Sequence, residues 1–209
     1  MIEQGSAEWR ALRVGKVTAS RVADIMRKGR SGAVSATRQR YLGELVAERL
    51  TGRPSEGFKS ADMQWGNDTE AQARGAYAIY AGAIMAPVAF VDHPKIGMSG
   101  ASPDHLVGDA GLVEIKCPAT HTHIATLLGD PISPDYMTQM QWQMACTERA
   151  WCDWVSFDPR MPEDMQLHVQ RVDRSDAHIK ELEAAVVAFL AELDATVGKL
   201  RRIYMQEAA

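Results

Sequence analysis

The clearest period in the chain lies in residues 175–204, where Ile179, Leu182, Val186, Phe189, Leu190, Leu193, Val197 and Leu200 recur at three- and four-residue steps. A 3.6-residue period of this length predicts one long helix with a single apolar stripe. A shorter pattern opens at Thr37 with Tyr41, Leu42, Leu45, Val46 and Leu50 on one side, and should stop near Gly52-Arg53-Pro54. Ahead of it, Val17-Thr18-Ala19-Ser20 leads into a short helix carrying Val22, Ile25 and Met26, which the stretch Gly29-Arg30-Ser31-Gly32 breaks. Further helices are expected over 69–80 and 134–146. Between and after them the pattern turns to strands, over 84–91, 96–102, 112–117, 151–157 and 165–172. Helices, a strand cluster, a helix, two strands and a long helix make an α/β protein with a central mixed sheet flanked by helices. No repeat, low-complexity tract or linker divides the chain, so 1–209 reads as a single domain. Within it lie a helical part over 1–60, a central part over 61–172 and a C-terminal helix over 173–209.

Composition narrows the class. A chain of 209 residues, 46% hydrophobic and 24% charged, can bury an ordinary core. It has no run of 18 apolar residues and no signal-peptide pattern at its start, so a cytoplasmic location is expected and no membrane partner. Three scattered cysteines, none in a CxxC pair, suit a reducing compartment and offer no structural zinc site. The net charge of −4 speaks against a nucleic-acid partner until its distribution is read. Residues 10–53 hold eleven Lys or Arg against three acids, while the remainder holds twelve against twenty-four. Such segregation suggests a basic surface apposed to an acidic centre, although well-solvated basic helices would read the same.

Most of the chemistry sits in Ser102-Pro103-Asp104 and in Leu112-Val113-Glu114-Ile115-Lys116-Cys117-Pro118. In a strand, Glu114 and Lys116 share one face, and Val113 and Ile115 the other. Two charges in so apolar a run need partners, because an unpaired buried charge is costly. A hairpin would bring Asp104, at the end of the preceding strand, beside Glu114. Two carboxylates there repel unless a cation lies between them, and hard oxygen donors suit Mg²⁺ or Mn²⁺. One ion, or two about 3.5–4 Å apart, would neutralise a scissile phosphate and acidify a water. Lys116 could orient that water or take its proton. An ordinary lysine pKa of about 10.4 makes orienting the nucleophile and stabilising phosphate charge the easier roles. The pattern is short, and a solvated Glu and Lys on an edge strand would also fit it.

Together, Asp104 and Glu114-x-Lys116 resemble the core of the PD-(D/E)xK nucleases. The surrounding blocks look like the phage lambda exonuclease and YqaJ-type alkaline exonuclease family. They are Glu3-Gln4-Gly5 with Trp9, Leu12-Arg13-Val14-Gly15 running into Val17-Thr18-Ala19-Ser20, Arg30-Ser31-Gly32, and Trp65-Gly66 with Glu70. Tyr136-Met137-x-Gln139-x-Gln141 and Phe157-x-Pro159-Arg160, with Asp158 between, complete the set, so the likeness spans most of the chain. It implies a restriction-endonuclease-like core and a processive exonuclease. Such an enzyme degrades one strand of linear duplex DNA from a 5′-phosphorylated end, releases mononucleotides and leaves a 3′ single strand. It further implies two Mg²⁺ ions per active site (Mn²⁺ possible), a homotrimeric ring around DNA, a single-strand annealing protein as partner, and a phage or prophage gene in a bacterial host.

By position, the resemblance makes Asp104, Glu114 and the Ile115 carbonyl metal ligands and Lys116 the catalytic lysine. Glu70 becomes a helix carboxylate near the metals and Gln139 an active-site glutamine. Gln139 and Gln141 cannot share a helix face, so only one should reach the metals. Arg13, helped by Ser20, would bind the 5′-phosphate, Arg30 would follow the DNA backbone, and Met63 falls where the lambda enzyme has a strand-separating wedge. The helical part over 1–60 then becomes the end-binding region and 61–172 the catalytic core. An endonuclease of the same core, or a module that holds DNA without cutting it, are the alternatives. His121 and His123 read as polar loop residues because soft ligation lacks a fourth ligand. Of the tryptophans, Trp9 adjoins the basic segment and could stack on bases, while the others read as core.

Overall fold

Polar caps set several of the helix boundaries. In the computed structural model, which describes residues 2–29, 33–55 and 61–204 apart from the side chains of 61–63 and 67, Ser6 accepts a hydrogen bond from the Trp9 amide and opens α1 (Ala7–Arg13). Strand β1 (Val17–Thr18) leads into α2 (Ala19–Met26). Ser35 caps α3 (Ala36–Thr51), which ends on Gly52 at φ +66°, a left-handed turn that glycine adopts without a steric cost. Then come α4 (Ala61–Ala81) and the short strands β2 (Met85–Pro87), β3 (Val91–Asp92), β4 (Ser99–Ala101) and β5 (His105–Val107). The central strand β6 (Gly111–Lys116) is followed by α5 (Thr120–Leu127) and by α6 (Pro134–Thr147), which Ser133 caps and Pro134 starts. Strands β7 (Trp151–Phe157) and β8 (Leu167–Asp173) and the long α7 (Asp176–Tyr204) close the chain.

The expected α/β architecture is present, with corrections in its middle. The helix expected over 69–80 begins at Ala61. The strand expected over 84–91 splits into β2 and β3, which join different sheets, and Pro87 ends the first because it has no N–H to give a ladder. The strand expected over 96–102 shrinks to β4. Strand β5 was not foreseen, since three residues between Asp104 and Gly108 are too few to show a period. Nor was α5, in a segment read as loop.

Five strands form one sheet in the order β2-β5-β6-β7-β8, parallel only between β6 and β7, and β1-β4-β3 form a smaller one. One face of the larger sheet, carrying Leu112, Cys152 and Trp154, packs on Met140 and Met144 of α6. Its other face, carrying Val113, Ile115, Val155 and Phe157, packs on Ala73 and Tyr77 of α4. At the start of β6 a Cβ on Gly111 would lie 2.1 Å from the Trp151 ring, so only glycine fits there. A third cluster joins α2, α3, α6 and α7 around Val22, Leu45, Trp142, Leu182 and Phe189, with Tyr41 stacked on Phe189 at 5.6 Å. The stripe predicted for α7 is buried from Ile179 to Val197, and each such side chain stabilises the fold by about 1.5–3 kcal/mol.

The charge segregation is partly consumed inside the fold. Lys16 pairs with Asp92, Arg21 with Asp24 and Glu44, Arg27 with Asp24 and Asp135, Arg38 with Glu192, and Arg49 with Asp194. Much of the N-terminal positive charge thus ties the basic helices to acids from later in the chain, rather than forming the open basic surface the sequence suggested. Arg13 is not closed in this way among the described residues.

Candidate active site

A proline and a short strand create the opening in which the acids meet. Strand β5 pairs antiparallel with β6, His105 against Val113. Continued by two residues, that register would set Pro103 against Ile115. Pro103 has no N–H, and its carbonyl accepts from Gln4 Nε2 at 2.8 Å, so the ladder stops. The freed Ile115 amide donates instead to Asp104 Oδ2 at 2.6 Å. One residue's N–H and C=O point to the same edge of an extended strand, so the Ile115 carbonyl faces the side on which Asp104 lies. Gln4 also donates to the Val88 carbonyl, fixing the N-terminal segment against this edge.

Glu114 is 2% exposed on the adjoining face. Its Oε1 accepts from Lys116 Nζ at 2.5 Å and Gln139 Nε2 at 2.6 Å, and its Oε2 accepts from Gln143 Nε2 at 2.6 Å. Gln139 and Gln143 stand one turn apart on α6, on the face turned to β6. Gln141 points elsewhere, donating to the Asp173 carbonyl and accepting from the Ser175 amide, which agrees with the expectation that one of Gln139 and Gln141 faces the acids. Gln143 was not foreseen. Its i+4 spacing from Gln139 was the available signal, as was a third glutamine on a helix that also carries Met140 and Met144.

The electrostatics describe a pocket of negative charge held around one lysine. Burial, and then the Glu114 charge, push the Asp104 carboxyl well above the ordinary carboxylate range, and Glu70 adds to the effect. Burial alone would depress the Lys116 ammonium, but the Glu114 and Asp104 charges outweigh it and hold it above the usual lysine range. The Cys117 thiol is pushed up to about 12 by burial and by the carboxylates of Glu70 and Asp104, so it is not a nucleophile near neutrality. Two carboxylates and a main-chain carbonyl on one edge are the hard-oxygen set that Mg²⁺ or Mn²⁺ uses, completed by water and substrate phosphate. Among the described residues, no three His, Cys, Asp or Glu side chains could hold an ion by themselves.

Asp104 and Glu70 open into a cleft of about 1020 Å³ that Trp9 also lines. The Trp9 indole N–H donates to the Ala89 carbonyl and Ser102 Oγ, and the Arg13 guanidinium lies over the ring, 3.8 Å from its centre. Trp9 therefore serves as a platform for Arg13. Burial lowers the Arg13 pKa from its ordinary value, and its Nε is buried without a partner. Ser20 is exposed on the first turn of α2. Arg30 and the Met63 side chain lie outside the described residues. His123 is neither a loop residue nor a ligand: it is fully buried in α5, where its ring nitrogens meet Ser156 Oγ and the Met165 carbonyl. His121 belongs to the same helix and is exposed. His105, the first residue of β5, is also buried, and burial followed by the Arg74 charge lowers its pKa.

Residues 8–150 match the family model of the YqaJ-like viral recombinase domain. The crystal structure of the alkaline exonuclease LHK-Exo from Laribacter hongkongensis is 52% identical, with a TM-score of 0.88, over 94% of this chain and 97% of that one. A structure of LHK-Exo in complex with dAMP matches equally well. A phage-related exonuclease from Haemophilus somnus 129PT is 16% identical, with a TM-score of 0.68 over 91% of this chain and 99% of that one, and shares the fold. A comparison with curated proteins gives no match. No helix among the described residues is long and apolar enough to cross a membrane.

Proposed function

The chain belongs to the YqaJ-like viral recombinase family, a nuclease family, and from that premise we propose a 5′-to-3′ exonuclease that degrades one strand of linear duplex DNA. The observation that carries the proposal is the meeting of Asp104 and Glu114 at the broken end of the β5–β6 ladder, where Asp104 opens into a cleft that Glu70 and Trp9 also line.

Asp104, Glu114 and the Ile115 carbonyl would hold divalent metal, Mg²⁺ or Mn²⁺, which supplies positive charge to the scissile phosphate and activates the attacking water. The protein's part is to hold its own groups still. Gln139 and Gln143 fix both oxygens of Glu114, and the Ile115 amide fixes one of Asp104. Lys116, beside Glu114 at 2.5 Å, is placed to stabilise phosphate charge and orient the nucleophile. Glu70 reaches the same cleft from α4. Arg13, set over Trp9 and without a carboxylate partner among the described residues, suits bidentate capture of a terminal 5′-phosphate, with Ser20 as a second donor. The dAMP complex of the relative supports mononucleotides as the product. Family membership extends the proposal to a homotrimeric ring that encircles DNA for processivity, and to a single-strand annealing protein that takes up the 3′ strand.

Digestion of blunt linear duplex labelled at either end, with Mg²⁺ or with EDTA, tests this against a covalently closed circle. Mg²⁺-dependent mononucleotides from the 5′ ends, with the circle intact, are expected. Cut circles would replace the exonuclease with an endonuclease. Arg13→Ala should lose the preference for a phosphorylated over a hydroxyl 5′ end, and equal digestion of both ends by the unaltered enzyme would remove that role.

A further inference from the structure

The cleft at the acids is also lined by two groups that the proposed chemistry leaves unused, Arg74 and His105. Arg74 follows Glu70 by one turn of α4, so a cation trails the carboxylate by about 6 Å along the same helix face. Elsewhere in the fold, arginines such as Arg38, Arg49 and Arg171 are closed by a carboxylate. Arg74 has no such partner among the described residues. His105 pairs with Val113 in register, which turns its side chain to the α4 face of the sheet. It is 8% exposed, and its Nδ1 is buried with no hydrogen-bond partner. Native folds rarely leave a buried polar nitrogen unmatched, and a ligand is one of the groups that completes it.

An unclosed guanidinium and an unmatched imidazole nitrogen in one cleft call for an anion with several acceptor oxygens. In a nuclease cleft the substrate itself carries that anion at every linkage. We propose that Arg74 and His105 form a phosphate subsite that grips a phosphodiester flanking the scissile one. The guanidinium fork takes its non-bridging oxygens, and the imidazole completes the contact. The subsite carries no base information, and it fixes the register of the strand against the acids. It rests on the nuclease reading of the same cleft.

Duplexes bearing a single neutral methylphosphonate at successive linkages from the 5′ end separate the two claims. The unaltered enzyme should digest unmodified duplex and slow by about tenfold or more at one flanking linkage, the scale of a single charged hydrogen bond. Arg74→Ala should be slow on unmodified duplex, mainly through a raised KM, and show no further loss at that linkage. His105→Ala should lose only part of the sensitivity at the same linkage, and Arg74→Lys should recover part of the rate. In EDTA, the salt dependence of duplex binding should flatten by about one phosphate contact in Arg74→Ala. Equal sensitivity of Arg74→Ala and the unaltered enzyme at every linkage overturns the subsite while leaving the nuclease standing. Failure of the unaltered enzyme to digest unmodified duplex overturns the nuclease reading instead. Melting curves confirm that each variant is folded.

Discussion

Asp153 and Glu114 stand on neighbouring strands of one sheet, one register step apart, and face opposite sides of it. Both are nearly inaccessible, at 4% and 2% exposed. Their surroundings differ in kind. Asp153 faces α4, where Arg171 reaches both of its oxygens at 2.9 and 3.0 Å and the Tyr77 hydroxyl donates at 2.8 Å. Arg171 is itself pressed on Trp151, 3.6 Å from the ring centre. Glu114 faces α6, where two neutral amides and one ammonium meet it, and the nearby carboxylate of Asp104 repels it. A guanidinium fixed through two bonds closes its acid, whereas an ammonium on a four-carbon stem can give way to a metal. Burial alone does not separate a lock from a socket. The charge and rigidity of what surrounds the acid do.

The largest effect should come from the socket. Glu114→Gln or Asp104→Asn is expected to reduce digestion to background and to abolish the rise in melting temperature expected of the unaltered protein with Mg²⁺. Near-normal turnover by either would remove the metal assignment. Asp104→Asn carries an added sign. A carboxyl raised on folding loses stability as pH rises above the ordinary carboxylate range, so in EDTA at neutral pH this variant should melt above the unaltered protein.

The lock should respond in stability instead. Arg171→Leu leaves Asp153 buried with only Tyr77, at a cost of about 3 kcal/mol in urea unfolding. Activity per folded molecule should be unchanged, and a fall in kcat would show that the two faces are coupled. Next in size, Gln143→Leu removes one donor from Glu114 and should raise the Mg²⁺ concentration needed for activity by about 10–100-fold. An unchanged metal requirement would make Gln143 a packing residue.

The smallest effect concerns Asp158. Burial would raise this carboxyl, but hydrogen bonds from Arg160 and Thr120 win and hold it at about 2. A depressed carboxyl contributes stability above its ordinary pKa and loses it as pH falls through the folded value. Asp158→Asn should therefore flatten the loss of urea resistance that the unaltered protein shows from about pH 4 downward.

These contrasts also mark what the sequence could disclose. Long periodic elements such as α3, α6, β7 and α7 were legible because a buried stripe repeats many times in them. Strand β5 and helix α5 were not, one being too short for a period and the other hiding a buried His123 among polar neighbours. Asp104, Glu114, Lys116 and Gln139 could be named from strand alternation and family pattern together, and the fold gathers these four at the end of β6. Gln143 and Arg74 escaped because their meaning lies in what they face across space, which one-dimensional spacing does not record. The basic N-terminal stretch misled in the other direction, since the acids that neutralise it come from distant segments.

Where the ladder breaks at Pro103, a side chain stands in for a missing strand. The hydrogen bond from the Ile115 amide to Asp104 belongs at once to the sheet and to the proposed metal site, so that amide proton is a built-in reporter. Its exchange with solvent, or its resonance in an NMR spectrum, registers the state of Asp104 without any label on substrate or metal. Backbone dynamics, ordinarily silent about catalysis, become a record of whether the carboxylate of the proposed site is free or engaged.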